Sequence, residues 1–298
     1  MRQFFHLLQI LLITIGFVTT QSAYGQSEKA LLWKVSGKDL KEPSYLFGTY
    51  HLLTDSYLKE FPLVDESFKK TKGVVVEAVI DSSKLQSIAM MALMPGKKIS
   101  ELISSEDGKL VSAELEKLMG FNLAAVDQLK PSSIIVLMTL TYSQKRNKEI
   151  LDKYPGLPMD VYLATKAKRE MKSVTPLETI EQQLDLLYNH FPVEEQARQL
   201  VVFVKQKEIG EKSQAELLKI YMEHDLNKLY RYADSLPKDM GDSDFLLKDR
   251  NEKWVQVIPD LMRKESQFIA VGALHLPGPG GVISLLQKQG YTVKPVTK

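Results

Sequence analysis

The chain has 298 residues, 44% of them hydrophobic and 26% charged, a globular composition that excludes a disordered chain, a collagen-like repeat and a coiled coil. Lys and Arg number 39 against 37 Asp and Glu, so the net charge of +2 lacks the basic excess that marks a nucleic-acid partner. Cys is absent, which excludes disulfides, thiolate metal sites and Cys nucleophiles.

Arg2 precedes an apolar run over residues 7–18 that is too short for a spanning helix. Ala23-Tyr24-Gly25 then puts small residues at both recognition positions of a cleavage site. Residues 1–25 are therefore expected to be a signal peptide, with the mature chain starting near Gln26 and working in the periplasm or secreted. No stable membrane span is expected after cleavage; a retained anchor is the alternative.

Residues 31–35 read as a first strand with its turn over 38–43, and residues 45–47 begin a second strand that runs toward His51. Residues 73–80 are β-branched on both faces and read as a central strand. Leu and charge alternate at helical spacing over 110–119, where Gly120 stops the helix. Pro131 opens an apolar helical segment to Tyr142, and Pro158 stands at the first turn of a helix over 159–169. Residues 171–174 read as a short strand between helices. Residues 213–224 and 246–262 are amphipathic, the latter with Trp254, Val257, Ile258 and Leu261 on one side. Strands over 268–271 and 291–293 complete the chain. The pattern predicts one α/β domain over 26–298, its central mixed sheet built from strands of both ends, with 84–260 as a mainly helical insertion.

The chemistry-bearing signal is a repeat. Tyr45-Leu46-Phe47-Gly48-Thr49-Tyr50-His51-Leu52 matches Ile269-Ala270-Val271-Gly272-Ala273-Leu274-His275-Leu276, each reading as three apolar residues followed by Gly-x-x-His-Leu. With 16 Gly and 5 His, chance supplies about 0.3 Gly-x-x-His pairs. A Gly three residues from its His points to the opposite face of a strand. Gly48 and Gly272 are thus expected to permit a turn or a close backbone approach. Both imidazoles would then sit beyond the carboxyl ends of the strands, where open α/β sheets bind ligands.

Glu77 interrupts the apolar strand, and a buried carboxylate needs a cation, a strong donor or a metal. An ion pair with an Arg from the insertion is one answer. A three-ligand site of two imidazoles and one carboxylate, with an open position for water, is the other. His-Glu-x-x-His, Gly-x-Ser-x-Gly and Walker-type motifs are absent.

These residues resemble the TraB/GumN family, which includes the TIKI-type metalloproteases. The likeness rests on six motifs in order: Leu46 to His51, Val75-Val76-Glu77, Asp160, the run Leu177 to Gln183, the helix from Asp249 through Arg250 to Trp254, and Val271 to Leu276 with Gly278 and Gly281. Met159 before Asp160 departs from the family's usual Val-like residue. The resemblance implies a fold related to the erythromycin-esterase and haem-binding ChaN-like proteins. It also implies a divalent-metal hydrolase acting on a peptide or small molecule, with manganese, cobalt or zinc held by His51, Glu77 and His275.

Glu178 is the expected proton carrier outside the ligand set, whereas Glu181 is expected at a solvated helix start that Pro176 opens. Arg250 is expected either to orient a substrate carboxylate or to pair with Glu77 or Asp160, and Asp160 to share in substrate binding. The loop at Gly278 precedes a helix over 282–289 and either offers N–H groups to an anion or is a plain turn. His190 and His224 are expected on helix surfaces. Two alternatives stand beside the metal hydrolase: a non-catalytic binding or signal-sequestering protein, and a metal-independent esterase-like hydrolase with His as base and Glu as its orienter.

Overall fold

In the computed structural model, which describes residues 29–79, 82–236 and 244–297, the apolar runs become six strands. These are β1 (Leu32–Ser36), β2 (Ser44–Thr49), β3 (Gly73–Val76), β4 (Ser173–Pro176), β5 (Gln267–Gly272) and β6 (Thr292–Pro295). They make one sheet in the order β4-β3-β5-β2-β1-β6. β2, β5, β3 and β4 run parallel, and β1 is antiparallel to both β2 and β6. The expected signal segment lies outside the described residues. Among those described, no helix is long and apolar enough to cross a membrane.

β5 is the centre of the arrangement. Leu46, Phe47, Val74, Val75, Ile269 and Val271 are all buried, as strands covered on both faces require. Thr49 stands opposite Gly272 and Val76 opposite Ala270, so β2, β5 and β3 end almost level. The residues that follow them (His51, the turn Ala273–His275, and Glu77) leave the sheet at one edge. Strands from the two ends of the chain thus share one sheet, as the repeated motif requires.

Several elements differ from their sequence reading. The third strand stops at Val76, so Glu77 stands just beyond it, and Ile80 lies outside the described residues. The short strand between helices is shifted to Ser173–Pro176 and pairs with β3 at the sheet edge, leaving Met171 94% exposed at φ 55. Pro158 caps the Met159–Arg169 helix rather than entering it. The helix read as 213–224 spans Lys207–Met222, and His224 follows it at φ 60, half-buried against Tyr57 and Phe61 rather than on a helix surface. In the Lys248–Lys264 helix, Trp254 and Ile258 are buried with Val255 and Met262, but Val257 is 46% exposed.

Helices between the strands serve two cores. Met159, Leu163, Leu218, Tyr221, Leu229, Trp254 and Ile258 pack on the sheet. Ile99, Val111, Leu115, Ile134, Met138, Leu200 and Val204 form a second cluster remote from it. That second core brings together the helices Ser105–Met119, Pro131–Arg146 and Val193–Lys205. The first ends at Gly120, which adopts the left-handed conformation at φ 78.

Gly48 shows why the first motif carries a glycine. A Cβ there would meet Ala273 Cα at 3.0 Å, Ala273 Cβ at 3.2 Å and Leu276 Cδ1 at 3.2 Å. The backbone after β5 crosses the end of β2 at this point. Gly48→Ala is expected to cost about 1–3 kcal/mol through overpacking against backbone, read as a lowered denaturation midpoint.

Candidate functional site

His51 follows β2, and its Nδ1–H donates to Asp160 Oδ2 at 2.9 Å from the first turn of the Met159–Arg169 helix. Its side chain is 68% exposed, and Nε2 has no hydrogen-bond partner among the described residues. The bond to Asp160 raises the ring's pKa to about 9, against the opposing effect of desolvation, and the Asp160 and Glu77 charges add to the rise. The charged pair therefore favours the fold below about pH 6.5, and this contribution is lost as pH rises through about 9. Solvent around the exposed ring screens it.

His275 stands in the short turn Ala273–His275 and is buried. Asn251 Nδ2 donates to the carbonyls of His275 and Gly280, which leaves Asn251 Oδ1 as acceptor for His275 Nδ1–H at 2.7 Å. His275 Nε2 accepts from Arg250 Nη1 at 3.2 Å. Both ring nitrogens are thereby committed, and the ring is the neutral Nδ1–H tautomer. Burial lowers its pKa to about 4, which agrees with that assignment. Its ring packs on Trp254 at 4.4 Å between centroids.

The N–H of Glu178 donates to the carbonyl of Glu77 at 2.9 Å, extending the β3–β4 pairing and setting two glutamates side by side. Arg250 separates their charges. Its Nε donates to both oxygens of Glu178 at 3.1 and 3.0 Å, and its Nη2 to Glu77 Oε2 at 2.7 Å and Glu178 Oε2 at 2.9 Å. Its Nη1 donates to the Leu246 carbonyl at 3.0 Å besides His275. A guanidinium has five N–H donors, and all five are used. The substrate-orienting role read from sequence for Arg250 therefore has no donor left to serve it; the ion-pair reading fits, with Glu77 and Glu178 as partners and not Asp160.

Glu178 also accepts from Trp254 Nε1 at 2.9 Å, so it holds Arg250 in place, a different setting from the expected proton carrier. Pro176 ends β4 rather than opening a helix. The helix Ile180–Asn189 starts after Thr179, which makes a capping box with Gln182. Glu181 pairs with Lys84 at the surface at 2.7 Å.

Glu77 Oε2 accepts from Gln183 Nε2 at 3.3 Å as well as from Arg250, and Oε1 accepts the Gly272 N–H at 2.7 Å. Burial pushes its pKa up, but the charges of His275, Arg250 and His51 and the Gly272 N–H outweigh it and bring it down to about 2. The His275 contribution is felt in acid, where that ring carries charge. Gly272 lines the site, contrary to the strand-face expectation, because β5 ends there. A Cβ on it would meet Glu77 Oε1 at 3.2 Å, His275 Cδ2 at 3.6 Å and His51 Nε2 at 3.8 Å.

Those three side chains converge as the motif spacing implies, but they do not fit a three-ligand metal centre in this arrangement. His275 has no lone pair to give, since Arg250 and Asn251 take both nitrogens. Among the described residues, no group of three or more His, Asp or Glu side chains is placed to hold one ion. Among these three side chains, the capacity left uncommitted is His51 Nε2 and one acceptor position on Glu77 Oε1; beside them, the buried Asp160 Oδ1 also has no hydrogen-bond partner among the described residues. Glu77's cation is Arg250, the alternative that its buried position left open.

Gly278 does not face this cluster. It sits at φ +84, where a Cβ would fall 2.6 Å from the Tyr230 ring. Its loop is closed by Gly281 N–H to the Gly278 carbonyl at 3.1 Å and Ile283 N–H to the Leu276 carbonyl at 3.3 Å, which fits the plain-turn reading. Gln183, Asn251 and Trp254 complete the array. All three lie inside the motifs quoted from sequence, where Trp254 was read only as part of an apolar helix face and the other two were given no role.

Glu77→Gln is expected to cost about 3 kcal/mol. The value sits at the low end for a broken buried pair because Glu178 still neutralises Arg250. Melts with and without chelator are expected to show the same loss.

No curated protein and no solved structure matches the chain. The profile described as the TraB/PrgY/gumN family matches residues 31–295, which takes in all six strands and every residue of the cluster. The chain belongs to the TraB/PrgY/gumN family.

Proposed function

We propose that the chain is a metal-independent hydrolase of a carboxylic ester or amide, with His51 as general base. The observation that carries this reading is the His51–Asp160 pair. Asp160 fixes the tautomer through Nδ1 and leaves Nε2 open beside Glu77 Oε1. A water placed over Gly272 would donate one proton to Glu77 Oε1 and the other to His51 Nε2. His51 takes that proton as the water oxygen attacks the substrate carbonyl, then returns it to the leaving alkoxide or amine. Glu77, held ionised by Arg250, acts here as an acceptor that positions the water.

Asp160, and not Glu77, is thus the orienter of the base. The signal-like segment over residues 1–25 supports export.

The rate law follows from the charge on His51. The base must be neutral to act, so kcat/KM is expected to rise with pH and level off above about 9. Asp160→Asn removes the largest cause of the raised pKa, so the rising limb is expected to move down toward the ordinary histidine value while the plateau falls. The assay is hydrolysis of p-nitrophenyl acetate and of an amide counterpart, in chelator. Activity that vanishes in chelator and returns with manganese, cobalt or zinc would overturn the metal-independent reading. Absence of turnover under every condition would leave a binding protein.

Gly272→Ala tests where the water sits. The new methyl would occupy the space between Glu77 Oε1 and His51 Nε2, at 3.2 and 3.8 Å. Gly272 has φ −51, so an alanine meets no backbone strain there. Activity is expected to fall by about two orders of magnitude, the scale of general-base catalysis, with the melting temperature little changed.

A further inference from the structure

A cavity of about 480 Å³ lies behind the cluster, at the boundary between the sheet core and the separate helical core. None of His51, Glu77, Asp160, Arg250 and His275 lines it. Its described walls are mostly apolar: Ile135 and Val136 from the Pro131–Arg146 helix, Leu186 and Leu187 from Ile180–Asn189, and Phe191 with Phe245. Phe245 is itself stacked on His190 at 3.7 Å between centroids, so the aromatic end of the cavity is fixed.

Among the described residues, most polar side chains on the wall are engaged, the Tyr230 hydroxyl being the exception. Ser132 Oγ donates to Gln196 at 2.8 Å, and Lys248 pairs with Asp244 at 3.5 Å. Asn251 is committed to His275 and Gly280, and Gln199 and Asp234 also have partners. A ligand rich in hydrogen-bonding groups would lose most of its bonds to water here without replacement, whereas an apolar chain loses nothing.

We propose that this cavity binds a single acyl or alkyl chain of about ten carbons. A methylene takes up roughly the 30 Å³ of a water molecule, so the volume admits a chain on the order of ten carbons with room to enter. The wall toward the cluster is made by Leu246, Asn251 and Leu274. The Leu246 carbonyl holds Arg250, and Asn251 holds His275, so a seated chain lies directly behind both. The chain belongs either to the acyl part of the substrate, which rests on the hydrolase reading, or to a separate fatty acid or lipid, which does not.

Calorimetric titration of the full-length protein with hexanol, octanol and decanol tests the cavity independently of turnover. Affinity is expected to strengthen about fourfold per added methylene, from about 0.8 kcal/mol per buried CH₂. Ala233→Trp and Leu187→Trp fill the cavity from two different helices and are expected to weaken decanol at least tenfold, with unchanged melting temperatures. Affinity that is flat with chain length, or indifferent to both folded variants, overturns the proposal. The same binding in His51→Gln keeps the result separate from catalysis.

The source of the chain is read from p-nitrophenyl esters of two to twelve carbons. If kcat/KM climbs with length in the wild type but not in Ala233→Trp, the cavity takes the substrate's acyl chain. If kcat/KM ignores length while decanol still binds as expected, the cavity takes a separate lipid-like ligand. Decanol binding with no ester or amide turnover supports the cavity and counts against the hydrolase.

Discussion

A guanidinium removed from water must find its countercharges and fill its donors, and Arg250 meets both demands inside one cluster. Four pieces of the chain are tied to it: the end of β3 through Glu77, the segment after β4 through Glu178, the turn after β5 through His275, and the carbonyl of Leu246. Two glutamates brought level by strand pairing would repel one another without it. His275 would have an unfilled acceptor. The array is thus a single electrostatic unit in which removing Arg250 leaves two buried glutamates without their cation. Trp254 adds a ring 4.8 Å from the guanidinium carbon and an N–H to Glu178, closing the side toward the core.

The sheet makes that unit possible. β5 sits between β3 and β2, so its carboxyl end is flanked by the ends of two strands contributed by the other terminus of the chain. Gly48 lets the backbone at Ala273 pass close over β2, and Gly272 leaves open the space onto which His51, Glu77 and His275 converge. The two glycines occupy equivalent motif positions yet meet different needs, one for packing and one for access. That difference depends on which strand crosses which, and strand order is a tertiary property.

Much of this was legible in sequence for a physical reason. Strands buried on both faces leave long apolar runs, so β2, β3 and β5 stand out, and a repeated Gly-x-x-His at the ends of two of them marks the shared edge. The demand for a partner to Glu77 was legible too, because a carboxylate in an apolar run cannot be left unpaired. Which partner answers it was not. Arg250 is one of 39 basic residues, and only the fold sets it against Glu77 rather than at a helix surface. The Asp160–His51 bond spans 109 positions and leaves no periodic trace. β4 was displaced because an exposed edge strand of four residues has almost no apolar pattern to read. The second core was invisible because its helices, read singly, show only that each has a face to bury.

The cluster divides its residues by what they have left to give. Arg250, Glu178, His275 and Asn251 have their strong hydrogen-bonding positions filled by protein partners, so they fix geometry and charge. His51 and Glu77 each retain one open position, and both face Gly272. A group whose bonds are all internal cannot exchange a proton or bind a reacting atom without first breaking one of them, at the cost of exposing a buried partner. In the proposed hydrolase, chemistry therefore falls to the members that need break nothing. On that ground the exposed imidazole, oriented through one nitrogen and free at the other, is a better base than the buried imidazole of the matching motif. The two halves of the repeat differ in setting: the first places an exposed ring bonded through one nitrogen, and the second a buried ring bonded through both.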